Sequence, residues 1–168
     1  MNRLIMGVAL SFLAMLQAIL PAWRAMGSAN PPLLLGGVLY YALTRSNSQF
    51  FEAALLAGLL HDSLSPIPLG FSVVGFLLAA AVIHHFRDRV FAESLFTHML
   101  LGAAGAFLVT FCLFLLLVGS GVRRGVPFRF AFDQALGMAI LGLLVFPLVC
   151  SSLQRLERVL GTLPRRQA

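Results

Sequence analysis

Apolar residues in this chain fall into runs separated by short polar or turn-forming stretches. Six runs can be marked: Leu4–Leu20, Pro31–Leu43, Phe50–Leu60, Leu69–Ile83, Leu95–Val118 and Ala135–Cys150. A helix that crosses a bilayer needs about 20 residues, with a range of roughly 17–25. The first and fifth runs meet that length as they stand. The fourth and sixth meet it with flanking residues, and the second and third are short. The pattern predicts an all-α polytopic membrane protein, a bundle of six transmembrane helices in one integral membrane domain over 1–168. The helices are expected at about 4–22, 31–44, 49–62, 69–86, 95–119 and 134–163, the last part juxtamembrane.

On length alone, the second and third runs fit a re-entrant hairpin. The linker Thr44-Arg45-Ser46-Asn47-Ser48-Gln49 would then carry an arginine at membrane depth, at a cost of about 2.5–3.5 kcal/mol. Two short or obliquely packed spans with the polar turn outside the bilayer are cheaper. Both arrangements leave the orientation of the later helices unchanged.

Composition supports the membrane class: 60% of the 168 residues are hydrophobic and 11% are charged, against about 25% charged in a soluble domain. All 12 basic residues are arginine, and the net charge is +6. Such a charge raises nucleic acid as a partner. Here, however, the arginines stand singly or in pairs between apolar runs, a pattern of topology signals and lipid contacts with no nucleic-acid footprint. With the N-terminus inside, Arg3, Arg45, Arg87, Arg89, Arg155, Arg158, Arg165 and Arg166 are cytoplasmic, and Arg24, Arg123, Arg124 and Arg129 are external. That excess predicts both termini in the cytoplasm, although the loop with Arg123, Arg124 and Arg129 counts against it. The opening residues resemble a signal peptide, but no clean small-residue cleavage site precedes Pro21, so an uncleaved first helix is expected. Cys112 and Cys150 fall inside apolar runs and read as small packing residues.

Among polar residues in apolar context, Asp62 stands out. It closes the third run, where a negative charge opposes the helix macrodipole. It reads either as a turn residue capping Ser63–Ser65 or as an ion ligand or helix-pairing group. Pro66 and Pro68 then turn the chain without continuing the helix. Ala54-x-x-x-Gly58 and Gly102-x-x-x-Ala106 have small-residue spacing suited to helix packing. The fifth-span strip, with Gly102, Gly105 and Ala106, is the favoured seat for a partner's membrane helix. His84 and Asp88 lie one helical turn apart, as metal ligands can, yet an interfacial helix end explains them as well, and no metal site is expected. His98 and Glu93 flank the fifth span at the interface. The loop with Arg123, Arg124 and Arg129 alternates with Phe128, Phe130 and Phe132, which suits an aromatic interface belt or a partner surface. In the tail, Leu153, Leu156, Leu160 and Leu163 follow helical spacing, with Arg155 and Arg158 on other faces. This is a stop-transfer flank or a helix docking on anionic lipid or a cytoplasmic partner. No serine–histidine nucleophile pattern, phosphate loop or zinc-protease motif is present.

Three places carry a family resemblance. Pro31 precedes a short apolar helix that reaches Tyr40 and a polar turn. Gly58-x-x-x-Asp62, with Gly70 beyond the acid, is similar to a glycine–aspartate–leucine–glycine signature at the end of a third helix. A final apolar helix containing Pro147 runs into a basic, leucine-bearing tail. The chain resembles the rod shape-determining protein MreD family over nearly its whole length, departing at Pro66, Pro68 and the arginine-bearing outer loop. The resemblance implies a bacterial inner-membrane subunit of the elongation machinery without catalytic, cofactor or metal residues. Its direct partner would be MreC, and through the complex MreB, RodA and a class B penicillin-binding protein. It also implies a fold similar to the six-helix substrate-binding subunits of energy-coupling factor vitamin transporters. A subunit of that transporter type is the alternative function.

Overall fold

The structure is a computed structural model, and it describes residues 2–20, 30–45, 47–65, 68–86, 95–121 and 128–161. These form six α-helices: α1 (Asn2–Ile19), α2 (Leu33–Thr44), α3 (Asn47–Leu64), α4 (Phe71–Phe86), α5 (Leu95–Gly119) and α6 (Phe128–Val159). The apolar runs and the helices coincide closely. The largest difference is α6, which begins at Phe128 rather than near residue 134 and takes Arg129 and Asp133 into its first turns. The α5 and α6 helices are long and apolar enough to cross a membrane, while α2 and α4 are shorter apolar helices.

Contacts fix the direction of each helix. Arg3 on α1 pairs with Glu52 near the start of α3. Gln17, near the other end of α1, accepts the Leu34 N–H at the start of α2. The end of α3 meets the start of α4 through Asp62 and Ser72, and the end of α4 meets the end of α2 through His84 and Ala42. Phe111 and Phe114 of α5 lie against Phe128 at the start of α6, and Glu157 near the end of α6 returns to Arg45. Successive helices therefore alternate in direction. One end of the bundle gathers Arg3, Arg45, Glu52, His84 and Glu157, and the opposite end gathers Gln17, Asp62, Gly70 and Ser72.

The α2 helix is the axis. Every residue from Leu33 to Ala42 is buried, and α2 touches each of the other five helices. Its sequence, LLLGGVLYYALT, is apolar on all faces, as a fully enclosed helix requires. Twelve residues span about 18 Å at 1.5 Å per residue, less than a hydrocarbon core of about 30 Å. Glycines allow its neighbours to come close: a Cβ on Gly36 would meet Val149 of α6, and one on Gly37 would meet Leu10 and Leu13 of α1.

The tightest seam joins α5 and α6. A Cβ at Gly102 would lie 2.3 Å from the Gly142 carbonyl oxygen, and one at Gly142 would lie 2.4 Å from the Gly102 oxygen. The two backbones touch there without intervening side chains. Such contact supplies the dispersion energy that holds helices together where lipid removes the hydrophobic drive. Outward faces remain apolar: on α1, Leu4, Val8, Phe12, Met15 and Ile19 form an exposed stripe at helical spacing.

Candidate functional site

Among the described residues the interior holds two carboxylates, one toward each end of the bundle. Both are almost completely enclosed, with Asp62 at 3% and Glu157 at 2% exposure. A buried carboxylate is costly unless it is paired or hydrogen-bonded, so the partners of each define its role.

Asp62 lies in the last turn of α3. Its two oxygens serve two different donors: Oδ2 accepts the Gly70 N–H at 2.7 Å and Oδ1 accepts the Ser72 N–H at 3.2 Å. These amides open α4, where the first N–H groups have no helical acceptor. Asp62 is thus the N-terminal cap of the next helix, supplied from the preceding one. The unfavourable position at the end of α3 is offset by the favourable one at the start of α4, whose dipole stabilises negative charge. Of the expected roles, this is the helix-pairing one, with Gly70 at the end of the turn among its donors; a side-chain cap on Ser63–Ser65 is not what the carboxylate makes. Ser65 N–H bonds the Asp62 main-chain oxygen, and Ser63 Oγ bonds Leu59. Gly70 sits at φ +98°, a conformation that favours glycine, and there the chain bends back toward the carboxylate. Gly58 allows α4 to approach: a Cβ on it would lie 2.5 Å from the Val73 Cα.

His61 Nδ1 and Ser72 Oγ share a hydrogen bond of 2.9 Å beside this cap. The residue types are those of a hydrolytic triad, but the connectivity is not. The Asp62 carboxylate is engaged by main-chain amides of α4, and Ser72 is fully buried. A relay needs the acid to orient the histidine and the serine to face substrate. The arrangement joins helices.

Glu157 anchors the other end. Its Oε1 accepts from the Arg45 guanidinium at 2.7 Å and its Oε2 from the Tyr40 hydroxyl at 2.9 Å. The Arg45 side chain is 9% exposed. A carboxylate in the last turn of α6 opposes that helix's dipole, and the arginine and phenol offset it. The joint fixes α6 against the end of α2. Next to it, Thr44 Oγ1 bonds the Tyr40 carbonyl, and the His84 Nδ1–H donates to the Ala42 carbonyl while its ring packs on Phe50. The outer pair Arg3–Glu52, 2.8 Å apart, is solvent-accessible, with 68% and 33% exposure.

The other sequence candidates fall as follows. Pro31 is buried before α2, and its carbonyl accepts the Leu33 N–H. Tyr40 is the phenol at Glu157. Gly102, Gly105 and Ala106 are buried inside the bundle: Gly102 against α6, and Gly105 against Leu39 and Ile83, where a Cβ would reach 2.7 Å from Leu39 Cδ1. The expectation of a partner's helix seated on this strip is therefore corrected, because α2, α4 and α6 already fill it. Arg129, Arg155 and Arg158 are exposed on α6. Arg123, Arg124, Asp88, Glu93 and Leu163 lie outside the described residues.

The tail also differs from expectation. Leu153 is buried, but Leu156 and Leu160 are 42% and 46% exposed, while Glu157 is enclosed. The inward stripe of α6 is Phe146, Val149, Cys150, Leu153 and Glu157. Sequence reading missed Glu157 because a lone acid in a basic flank has the appearance of surface. The available signal was its spacing, four residues beyond Leu153 and opposite the arginines.

An all-helical membrane protein with its interior polar groups closed on each other is the class these features define. The family model for the rod shape-determining protein MreD matches residues 1–154, and the chain belongs to that family. Membership gives it a role in rod-shape determination. No curated protein and no solved structure gives a match.

Proposed function

We propose that this chain is a non-catalytic scaffold or regulatory subunit of the bacterial rod-shape peptidoglycan synthesis complex. In this reading it lies in the inner membrane with six spans and both termini in the cytoplasm. It binds MreC directly, and through the complex it meets MreB, RodA and a class B penicillin-binding protein. The carrying observation is the family match across residues 1–154. The interior chemistry agrees with a scaffold: Asp62, Ser72 and Glu157, the buried polar side chains among the described residues, all bond to other parts of the bundle. Co-purification from native membranes tests the reading. Recovery of MreC with the tagged chain, and loss of rod shape when the chain is depleted, are the expected results. Recovery of an ATPase module with a coupling subunit instead would favour the vitamin-transporter alternative.

A further inference from the structure

The C-terminal end of α6 carries an unusual combination of charge and exposure. Glu157 is the one acid in this stretch, and it is turned inward and neutralised by Arg45. Arg155 and Arg158 are exposed and make no ion pair with any described residue. Between and beyond them, Leu156, Val159 and Leu160 are exposed at 42%, 84% and 46%. At about 100° per residue, Arg155 and Val159 lie almost opposite Glu157, with Leu156 and Arg158 on either flank. The buried pair therefore sets the rotation of α6 so that two cations and two apolar side chains, Leu156 and Val159, point outward together.

Length places this face at a membrane surface. The 32 residues of α6 extend about 48 Å, well beyond a hydrocarbon core of about 30 Å. The terminal turn then stands in the headgroup layer. There, exposed leucine and valine can enter the acyl boundary while arginine meets phosphate. Neutralising Glu157 internally removes the one acidic charge on the last turns of α6 that would repel an anionic lipid.

We propose that this end of α6, with Arg155, Leu156, Arg158 and Val159, is a binding face for anionic phospholipid headgroups. The proposal rests on the membrane-protein reading but not on which side the termini lie, nor on MreC. The full-length chain in detergent is offered equal amounts of phosphatidylglycerol and phosphatidylcholine, and the retained lipids are counted by native mass spectrometry. The wild type should retain phosphatidylglycerol preferentially, each arginine at the surface contributing a factor of about five, and high salt should reduce the preference. Arg155→Gln/Arg158→Gln should abolish it without lowering thermal stability in phosphatidylcholine, and Arg155→Lys/Arg158→Lys should keep most of it. Equal retention of the two lipids by the wild type overturns the proposal. So does a preference that survives the double glutamine change. Displacement of the lipid by free glycerol phosphate would assign the face to a soluble anion. Loss of a co-purifying protein with lipid preference intact would assign it to a protein surface. Either outcome overturns the lipid assignment, and neither depends on whether MreC is the partner.

Discussion

Arg45 and Glu157 stand 112 residues apart in the chain and 2.7 Å apart in the bundle. The pair joins the end of the most enclosed helix to the end of the longest one. Attraction within a buried pair is largely offset by the desolvation of both charges, but removing one partner strands the other, at a cost of about 3–5 kcal/mol. Glu157→Met and Arg45→Met should each lower thermal stability in detergent by an amount of that order. Arg45→Met/Glu157→Met should be less damaging than either single change, because no charge is stranded. A double-mutant cycle reads the coupling, and strict additivity of the two losses would show that the pair contributes nothing.

Replacement of Asp62 should rank by the number of acceptors lost. Asparagine keeps one oxygen and presents an NH2 group to the second amide, so Asp62→Asn should cost on the order of 1–3 kcal/mol, the usual penalty for one unsatisfied buried donor. Asp62→Leu strands both the Gly70 and Ser72 amides and should cost more. Thermal unfolding of the two variants checks the order. Equal losses would show that the charge, rather than the count of acceptors, is what matters.

Glycine substitutions should separate by what a methyl would meet. At Gly102 it collides with main-chain oxygen of α6, which cannot move aside, so Gly102→Ala should part α5 from α6 and destabilise by at least the 1–3 kcal/mol typical of overpacking. At Gly7 of α1 nothing lies within 4 Å, and Gly7→Ala should be neutral or stabilise by up to about 1 kcal/mol through helix propensity. Protease resistance in detergent compares the two. Similar behaviour would contradict the packing described for α5 and α6.

Topology is constrained in two separable ways. Because Arg45 touches Glu157, the α2–α3 turn and the end of α6 lie on the same side of any membrane the bundle crosses. The arginine count further assigns that side to the cytoplasm. Reporter fusions after Arg45 and at the C-terminus should therefore agree, and both should read cytoplasmic. Disagreement between them overturns the helix arrangement, whereas agreement on the outside overturns only the orientation.

Much of this was legible in the sequence. The helices could be read from their runs, because an apolar helix packed among apolar neighbours needs little beyond hydrophobic length. Asp62 was visible as an acid closing an apolar run, but its donors, Gly70 and Ser72, lie beyond two prolines, and local spacing does not reveal which way the carboxylate turns. Glu157 was hidden because its partners, Tyr40 and Arg45, come from a distant helix, and because the leucines around it drew attention to the wrong face. Gly102 and Gly105 were recognisable as packing residues. Whether they packed inward or against another protein depended on the third dimension, where α2, α4 and α6 already occupy the space.

The Arg45–Glu157 joint also bears on how the molecule is made. The α2 helix, with Tyr40 and Arg45 near its end, emerges from the ribosome long before Glu157 is translated. Until then, no carboxylate from α6 exists to meet that guanidinium, and moving it into apolar surroundings is costly. The contact between Arg45 and Glu157 is therefore among the last that the growing chain can make.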